Sequence, residues 1–297
     1  MIEVLRAPDE RFENLPGYPF APRYLVQQNG LRMHYLDEGL RDAAAPVFLC
    51  LHGQPSWSYL YRKMIPLFAP YGRVTAPDLF GFGRSDKPIQ DDVYTFEFHR
   101  NSLIELIETL DLTNITLVCQ DWGGLLGLTI PYQMPRRFAR LIVMNTAFPT
   151  GEKSLGAGFE NWKAFVRSQP DLNVPALFRR GTPVLSEAEA DAYGAPFPDV
   201  RYKAGVRRFP ELMPVAPDSP GADHGRAGRD WYRDHWAGET FMAIGAADPV
   251  LVPEIMHALR ADIRNCPEPM VIKEAGHFVQ EWGEPVAEAA LKAFGLS

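Results

Sequence analysis

The chain has 297 residues, 46% hydrophobic and 23% charged, which suffices for one large core or a core with an inserted segment. Lys and Arg total 30 against 37 Asp and Glu, a net charge of −7, and without basic clusters this balance argues against nucleic acid or anionic membrane as main partner. No run approaches the roughly 20 apolar residues of a membrane span. MIEVLRAPDE puts acids and a proline where a signal peptide would need an apolar stretch, so the expectation is a cytoplasmic protein.

In chain order, RYLVQQ and LRMHYLDE flank Asn29-Gly30 and predict a hairpin over residues 24–38 closed by a two-residue turn. Short apolar runs then alternate with helical patterns. Buried strands are expected at Val47–Leu51, Val74–Ala76, Ile115–Gln120, Leu141–Asn145, Phe241–Ile244 and Met270–Ile272. Asn101–Leu110 reads as an amphipathic helix with Leu103, Leu106, Ile107 and Leu110 on one face. Such alternation implies right-handed crossovers and a parallel sheet covered on both faces, an α/β fold. It breaks in an aromatic-rich stretch with helix-like pieces at Phe159–Arg167 and Glu187–Tyr193 and a Pro/Gly-rich tract from Pro210 to Gly228. The chain therefore divides into a core of residues 1–147 and 238–297 and a helical cap of residues 148–237.

Ile115 to Gly124 carries the strongest chemical signal: an apolar run stops at Asp121, and two glycines open a helix-like segment. Cys119-Gln120-Asp121-Trp122-Gly123 has the small-x-nucleophile-x-small form of the G-x-S-x-G elbow, with Asp in place of Ser. A lone Asp there would cap the helix; companions elsewhere change that reading. The L-C-L-H-G-Q-P segment places a tight turn after a strand, so the backbone N–H groups of Gln54 and Trp122 would form a two-donor oxyanion hole. Asp248 follows one strand and His277 the next, and the order Asp121, Asp248, His277 is the nucleophile–acid–base order of an α/β-hydrolase.

Other chemistries fit less well. Gly81-x-Gly83 lacks the third glycine of a dinucleotide fingerprint, so no cofactor is expected. The seven histidines show no metal-ligand spacing, and Cys50, Cys119 and Cys266 form no C-x-x-C pair, so no metal is expected either. Cys119 reads as a small buried residue rather than a second nucleophile.

The motifs H-G-Q-P-S-W-S-Y-L-Y-R-K-M (52–64), D-L-F-G-F-G-R-S-D-K-P (78–88), V-C-Q-D-W-G-G (118–124), F-M-A-I-G-A-A-D (241–248) and E-A-G-H-F-V-Q-E (274–281) together resemble the haloalkane dehalogenases. The resemblance runs essentially end to end. It implies an α/β-hydrolase fold, with a mostly parallel sheet flanked by helices and an inserted helical cap. It implies Asp121 as the nucleophile that forms an alkyl-enzyme ester, and His277, oriented by Asp248, as the base that activates water. Trp122 and Trp162 would hold the halide, Trp162 because residues 158–163 match the segment that supplies a cap tryptophan in one subfamily. Other subfamilies carry the acid one strand earlier, where this chain has Asn145. Gln54 stands where Glu or Asn is common, which keeps its backbone role and leaves the role of its side chain open. Phe159, Phe209 and Pro210 would line a dry pocket. The expected partners are a small apolar halogenated substrate, water and halide, and nothing demands more than a monomer.

Two other readings compete. An epoxide hydrolase shares H-G-x-P and the Asp-Trp-Gly elbow, and would need cap tyrosines such as Tyr193, Tyr202 or Tyr232 to protonate an alkoxide. A non-catalytic hydrolase-fold binding protein would usually lack a member of the triad, whereas all three are present.

Overall fold

The structure, a computed structural model, describes residues 2–297. Its strands are β1 (Val4–Leu5), β2 (Arg23–Val26), β3 (Arg32–Gly39), β4 (Val47–Leu51), β5 (Arg73–Pro77), β6 (Lys87–Pro88), β7 (Ile115–Cys119), β8 (Phe138–Met144), β9 (Glu239–Gly245) and β10 (Met270–Ile272). The helices are α1 (Ile65–Phe68), α2 (Phe96–Thr109), α3 (Asp121–Gly127), α4 (Ala157–Ser168), α5 (Val174–Gly181), α6 (Glu187–Ala192), α7 (Ala204–Leu212), α8 (Ala222–Asp234), α9 (Pro253–Ala261) and α10 (Gly283–Ala293).

Eight strands form one sheet in the order β10-β9-β8-β7-β4-β5-β3-β2, with β1 and β6 as a separate small ladder. Pairing is parallel from β10 through to β5 and antiparallel for β5/β3 and β3/β2. Every residue of β4 and β7 is buried, as expected of central strands covered by helices on both faces. This parallel arrangement brings the loops after β4, β7, β8, β9 and β10 to one edge of the sheet, where open α/β sheets bind ligands.

Local chemistry explains several boundaries. α2 starts because the Thr95 hydroxyl accepts the Phe98 N–H at 3.0 Å, and it buries Leu103, Leu106 and Ile107. α6 starts with a capping box in which Ser186 and Glu189 each bond the other's backbone N–H. The hairpin differs from expectation. Gln27 N–H donates to the Leu31 carbonyl and Gly30 N–H to that of Gln27, so the loop has three residues rather than two. Gly30, at φ 81°, supplies the left-handed position such loops require.

Between β8 and β9 the described residues form α4 to α8 and no strand. The Pro/Gly-rich tract from Pro210 to Gly228 is more ordered than its composition implies. It contains the end of α7 and the first half of α8. The glycines of α8 are sites of close contact: a Cβ on Gly225 would stand 2.3 Å from the Pro149 carbonyl oxygen, and one on Gly228 2.8 Å from that of Leu128. Composition gave a breaker signal where helix-to-backbone packing required small residues.

Candidate active site

The sharp turn between β7 and α3 puts Asp121 at φ 49°, a left-handed conformation that a non-glycine residue rarely adopts. The turn is possible only with small neighbours. A Cβ on Gly123 would stand 2.0 Å from the Leu51 carbonyl oxygen, and one on Gly53 2.1 Å from Asp121 Oδ1. Asp121 is further fixed by its own N–H, which donates to the Asn145 carbonyl at 2.9 Å, and by the Thr146 hydroxyl, which donates to the Asp121 carbonyl at 2.8 Å. Its side chain therefore projects from the carboxyl edge of the sheet above the first turn of α3.

Asp121, Asp248 and His277 converge. His277 Nδ1 lies 2.8 Å from Asp248 Oδ2, and His277 Nε2 lies 3.4 Å from Asp121 Oδ2. Burial alone would lower the basicity of His277, but the carboxylates of Asp248 and Asp121 outweigh it and raise the pKa to about 10. Burial alone would raise the pKa of Asp248. The imidazolium and the N–H groups of Val250 and Leu251 instead hold its carboxyl below the usual range. In the chain order of the large sheet β9 is the seventh strand, and Asp248 lies in the turn that follows it, one strand later than Asn145.

Asn145, at the position where other subfamilies carry the acid, fixes this loop. Its Nδ2 donates to Asp248 Oδ2 at 3.0 Å and lies within bonding distance of the Gly245 and Leu251 carbonyls, while its Oδ1 accepts the Gly245 N–H at 2.8 Å. The sequence shows only that this residue is not an acid; the amide reaching across after β8 is visible only in the fold. Gln120 likewise donates to the His277 carbonyl at 3.0 Å.

The two expected oxyanion donors differ. The Gln54 N–H donates to Asp121 Oδ1 at 2.8 Å. The Trp122 N–H makes no hydrogen bond to that carboxylate; it is one of the first-turn amides of α3 that lack an intrahelical acceptor. The Gln54 side chain is tied to α7, donating to the Val206 carbonyl at 2.9 Å, so this N–H is committed to the helical segment rather than to the cavity. His52 is structural: fully buried, it bonds the Gly53 carbonyl through Nδ1 and accepts the Leu79 N–H through Nε2. The Gly81–Gly83 turn folds around Asp78, whose carboxylate accepts from the Ser58 and Arg84 N–H groups.

A cavity of about 380 Å³ opens over Asp121. Gln54, Trp122, Phe159, Trp162 and His277 are on its wall, as the sequence leads one to expect. Among the described residues neither indole N–H of Trp122 or Trp162 donates to a protein acceptor, in contrast to Trp236, which bonds Thr240. Phe209 and Pro210 do not line the cavity. Phe209 is fully buried behind Trp122, ring centroids 5.0 Å apart, and packs on Phe82 and His99; Pro210 is buried within α7. Leu125, Leu155, Leu177, Leu251 and Phe278 are also on the apolar wall and were not anticipated. Two of them had a legible signal, since Leu125 is one helical turn beyond Asp121 and Phe278 adjoins His277.

The histidine turn is joined to the helical segment by a buried ion cluster. Arg62 contacts Glu281 at 2.7 and 2.8 Å and Glu189 of α6 at 2.8 Å, and the Tyr193 hydroxyl donates to Glu281. Phe278 stacks on Phe178 of α5, centroids 4.1 Å apart. Tyr193 and Tyr232 are fully buried, and neither they nor Tyr202 line the cavity.

Residues 46–284 match the family model of the α/β hydrolase fold. The chain is similar to a haloalkane dehalogenase from Psychrobacter cryohalolentis, 46% identical over 97% of this chain and 96% of that one. Another haloalkane dehalogenase, from Mycolicibacterium paratuberculosis, is 43% identical over 98% of each chain. Among solved structures, haloalkane dehalogenase DpaA from Paraglaciecola agarilytica NO2, described as tetrameric, superposes with a TM-score of 0.95 at 53% identity over 98% of both chains. These full-length likenesses lead to one assignment: the chain belongs to the haloalkane dehalogenases, hydrolases that act on carbon–halide bonds.

Proposed function

We propose that this enzyme converts small apolar haloalkanes to the alcohol and halide through an ester on Asp121. Asp121 Oδ2 attacks the halogen-bearing carbon, the carbon–halogen bond breaks, and the halide leaves as an anion that needs no proton. The indole N–H groups of Trp122 and Trp162 receive it, being donors with no competing lone pair. Alkylation removes the Asp121 charge, so His277 loses one of the two carboxylates that hold its proton and becomes available as a base. It then takes a proton from water as the oxygen adds to the ester carbonyl, with the developing oxyanion on Oδ1 against the Gln54 N–H and, once it shifts, the Trp122 N–H. Collapse expels the alcohol, and Asp121 returns to carboxylate with one proton released to solvent.

The observation that carries this reading is a single apolar cavity that presents Asp121, His277 and two unspent indole donors together. An epoxide reading lacks its proton source, because among the described residues no tyrosine is on that wall. We read residues 148–237 as the cap that closes the cavity from above. The two fully buried free thiols, Cys50 and Cys119, suit a reducing compartment such as the cytoplasm. The expectation of a monomer meets a tetrameric relative, and light scattering of the purified protein decides between them.

The test uses 1,2-dibromoethane, 1-bromobutane and styrene oxide, with free halide and diol as readouts. Bromide release that is lost in Asp121→Ala is the expected result. Diol from the epoxide without bromide from either bromoalkane would overturn the mechanism.

A further inference from the structure

The cavity wall carries one ionisable group that the reaction does not use. Arg180, in the last turn of α5, lines the same cavity as Asp121 and His277. Nearby cations are engaged: Arg179 with Asp191, Lys163 with Glu211, and Arg62 with Glu281 and Glu189. The Arg180 guanidinium has no ion pair or hydrogen bond to a protein acceptor among the described residues, and lies 5.6 Å from the centre of the Phe165 ring. Its helix ends against the histidine turn, where a Cβ on Gly276 would stand 3.2 Å from the Gly181 carbonyl oxygen. Arg180, exposed and unpaired, thus borders a chamber whose other ionisable groups are Asp121 and His277.

A guanidinium presents a planar fork of donors that matches a carboxylate in bidentate fashion. The elbow itself offers no cation, since Trp122 and Gly123 follow Asp121 directly. A carboxylate next to the reacting carbon would therefore meet the negative Asp121 and an imidazolium already shared between Asp121 and Asp248, whereas one several methylenes away would meet Arg180. We propose, on the site reading above, that this enzyme accepts ω-haloalkanoates, with Arg180 binding the carboxylate remote from the halogen and the apolar wall holding the methylene chain.

The experiment compares bromide release from 6-bromohexanoate, its methyl ester and 1-bromohexane at pH 8 in the wild type, Arg180→Gln and Arg180→Lys. The expected result is that the kcat/KM ratio of 6-bromohexanoate to its methyl ester falls about tenfold or more in Arg180→Gln, the size of a lost charge-assisted contact, with part retained in Arg180→Lys. Added sodium sulfate should compress the wild-type ratio. An unchanged ratio in Arg180→Gln, with or without a lower melting temperature, would reduce Arg180 to a cation at a helix C-terminus and overturn the inference. An equal fall for all three substrates with altered bromide inhibition would assign it to halide exit and overturn it too. Failure of the wild type on all three would instead sink the site reading, and this inference with it.

Discussion

Replacing Asn145 by Ala tests whether the amide between β8 and β9 sets the geometry of the base. The side chain is fully buried and engages Asp248 Oδ2, the Gly245 and Leu251 carbonyls and the Gly245 N–H. Alanine leaves the Gly245 N–H and at least one carbonyl without a partner in a dry site, at roughly 1–3 kcal/mol for each orphaned group. The contact to the ionised Asp248 adds to this, so a destabilisation of about 3–5 kcal/mol is expected. At about 2–4 °C per kcal/mol for a chain of this size class, the melting temperature should fall by roughly 10 °C. The catalytic signature is separate. Asp248 keeps the Val250 and Leu251 N–H groups but loses its lateral tether, so ester hydrolysis should slow by about tenfold or more while alkylation slows less. Rapid-quench kinetics with 1,2-dibromoethane resolve the two steps. A melting shift under about 2 °C, or equal slowing of both steps, would refute the reasoning.

Three further outcomes follow from the same geometry. His277→Gln should alkylate but not turn over, so intact-mass spectrometry after 1-bromobutane should show one added butyl group on Asp121; steady turnover would place the base elsewhere. Trp162→Phe removes one of the two indole N–H groups proposed to receive the halide, so carbon–halogen cleavage should slow by about 10- to 100-fold, the worth of a hydrogen bond to an anion, with ester hydrolysis much less affected; single-turnover bromide release measures it. The pKa of His277 in the folded enzyme is raised to about 10, so its stabilising contribution is full below its ordinary value near about 6.5 and is lost as pH rises through 10. Asp121→Asn should lower that pKa and move the loss to lower pH, visible in the NMR titration of the imidazole carbons; an unmoved titration would show that the Asp121 charge does not hold the proton.

The sheet was readable because its central strands are buried on both faces and appear as unbroken apolar runs, and VFLCL coincides with β4 residue for residue. The elbow was readable because a strained turn admits only small neighbours, which leaves a local pattern around Asp121. α8 was obscured by the opposite effect, since Gly225 and Gly228 are small for the sake of Pro149 and Leu128, far from them in the chain. Phe209 failed for a related reason. Aromatic character marks burial but not which side of Trp122 a ring occupies, and here it supports the indole from behind. Asn145 left no sequence signal because its task is defined by strand neighbours about a hundred residues away.

The contacts of Glu281 bear on how this molecule can be engineered. A carboxylate with no exposed surface, shared by Arg62 and Tyr193 and linked through Arg62 to Glu189, makes the turn that bears His277 and helix α6 a single mechanical part. Separating them would break the Arg62–Glu189 pair and the Tyr193–Glu281 hydrogen bond, leaving Glu281 to Arg62 and Lys63 alone. A transplanted helical segment from a relative would need to bring its own counterparts of Glu189 and Tyr193. Without them, the graft would disturb the alignment of the base before it altered the shape of the chamber.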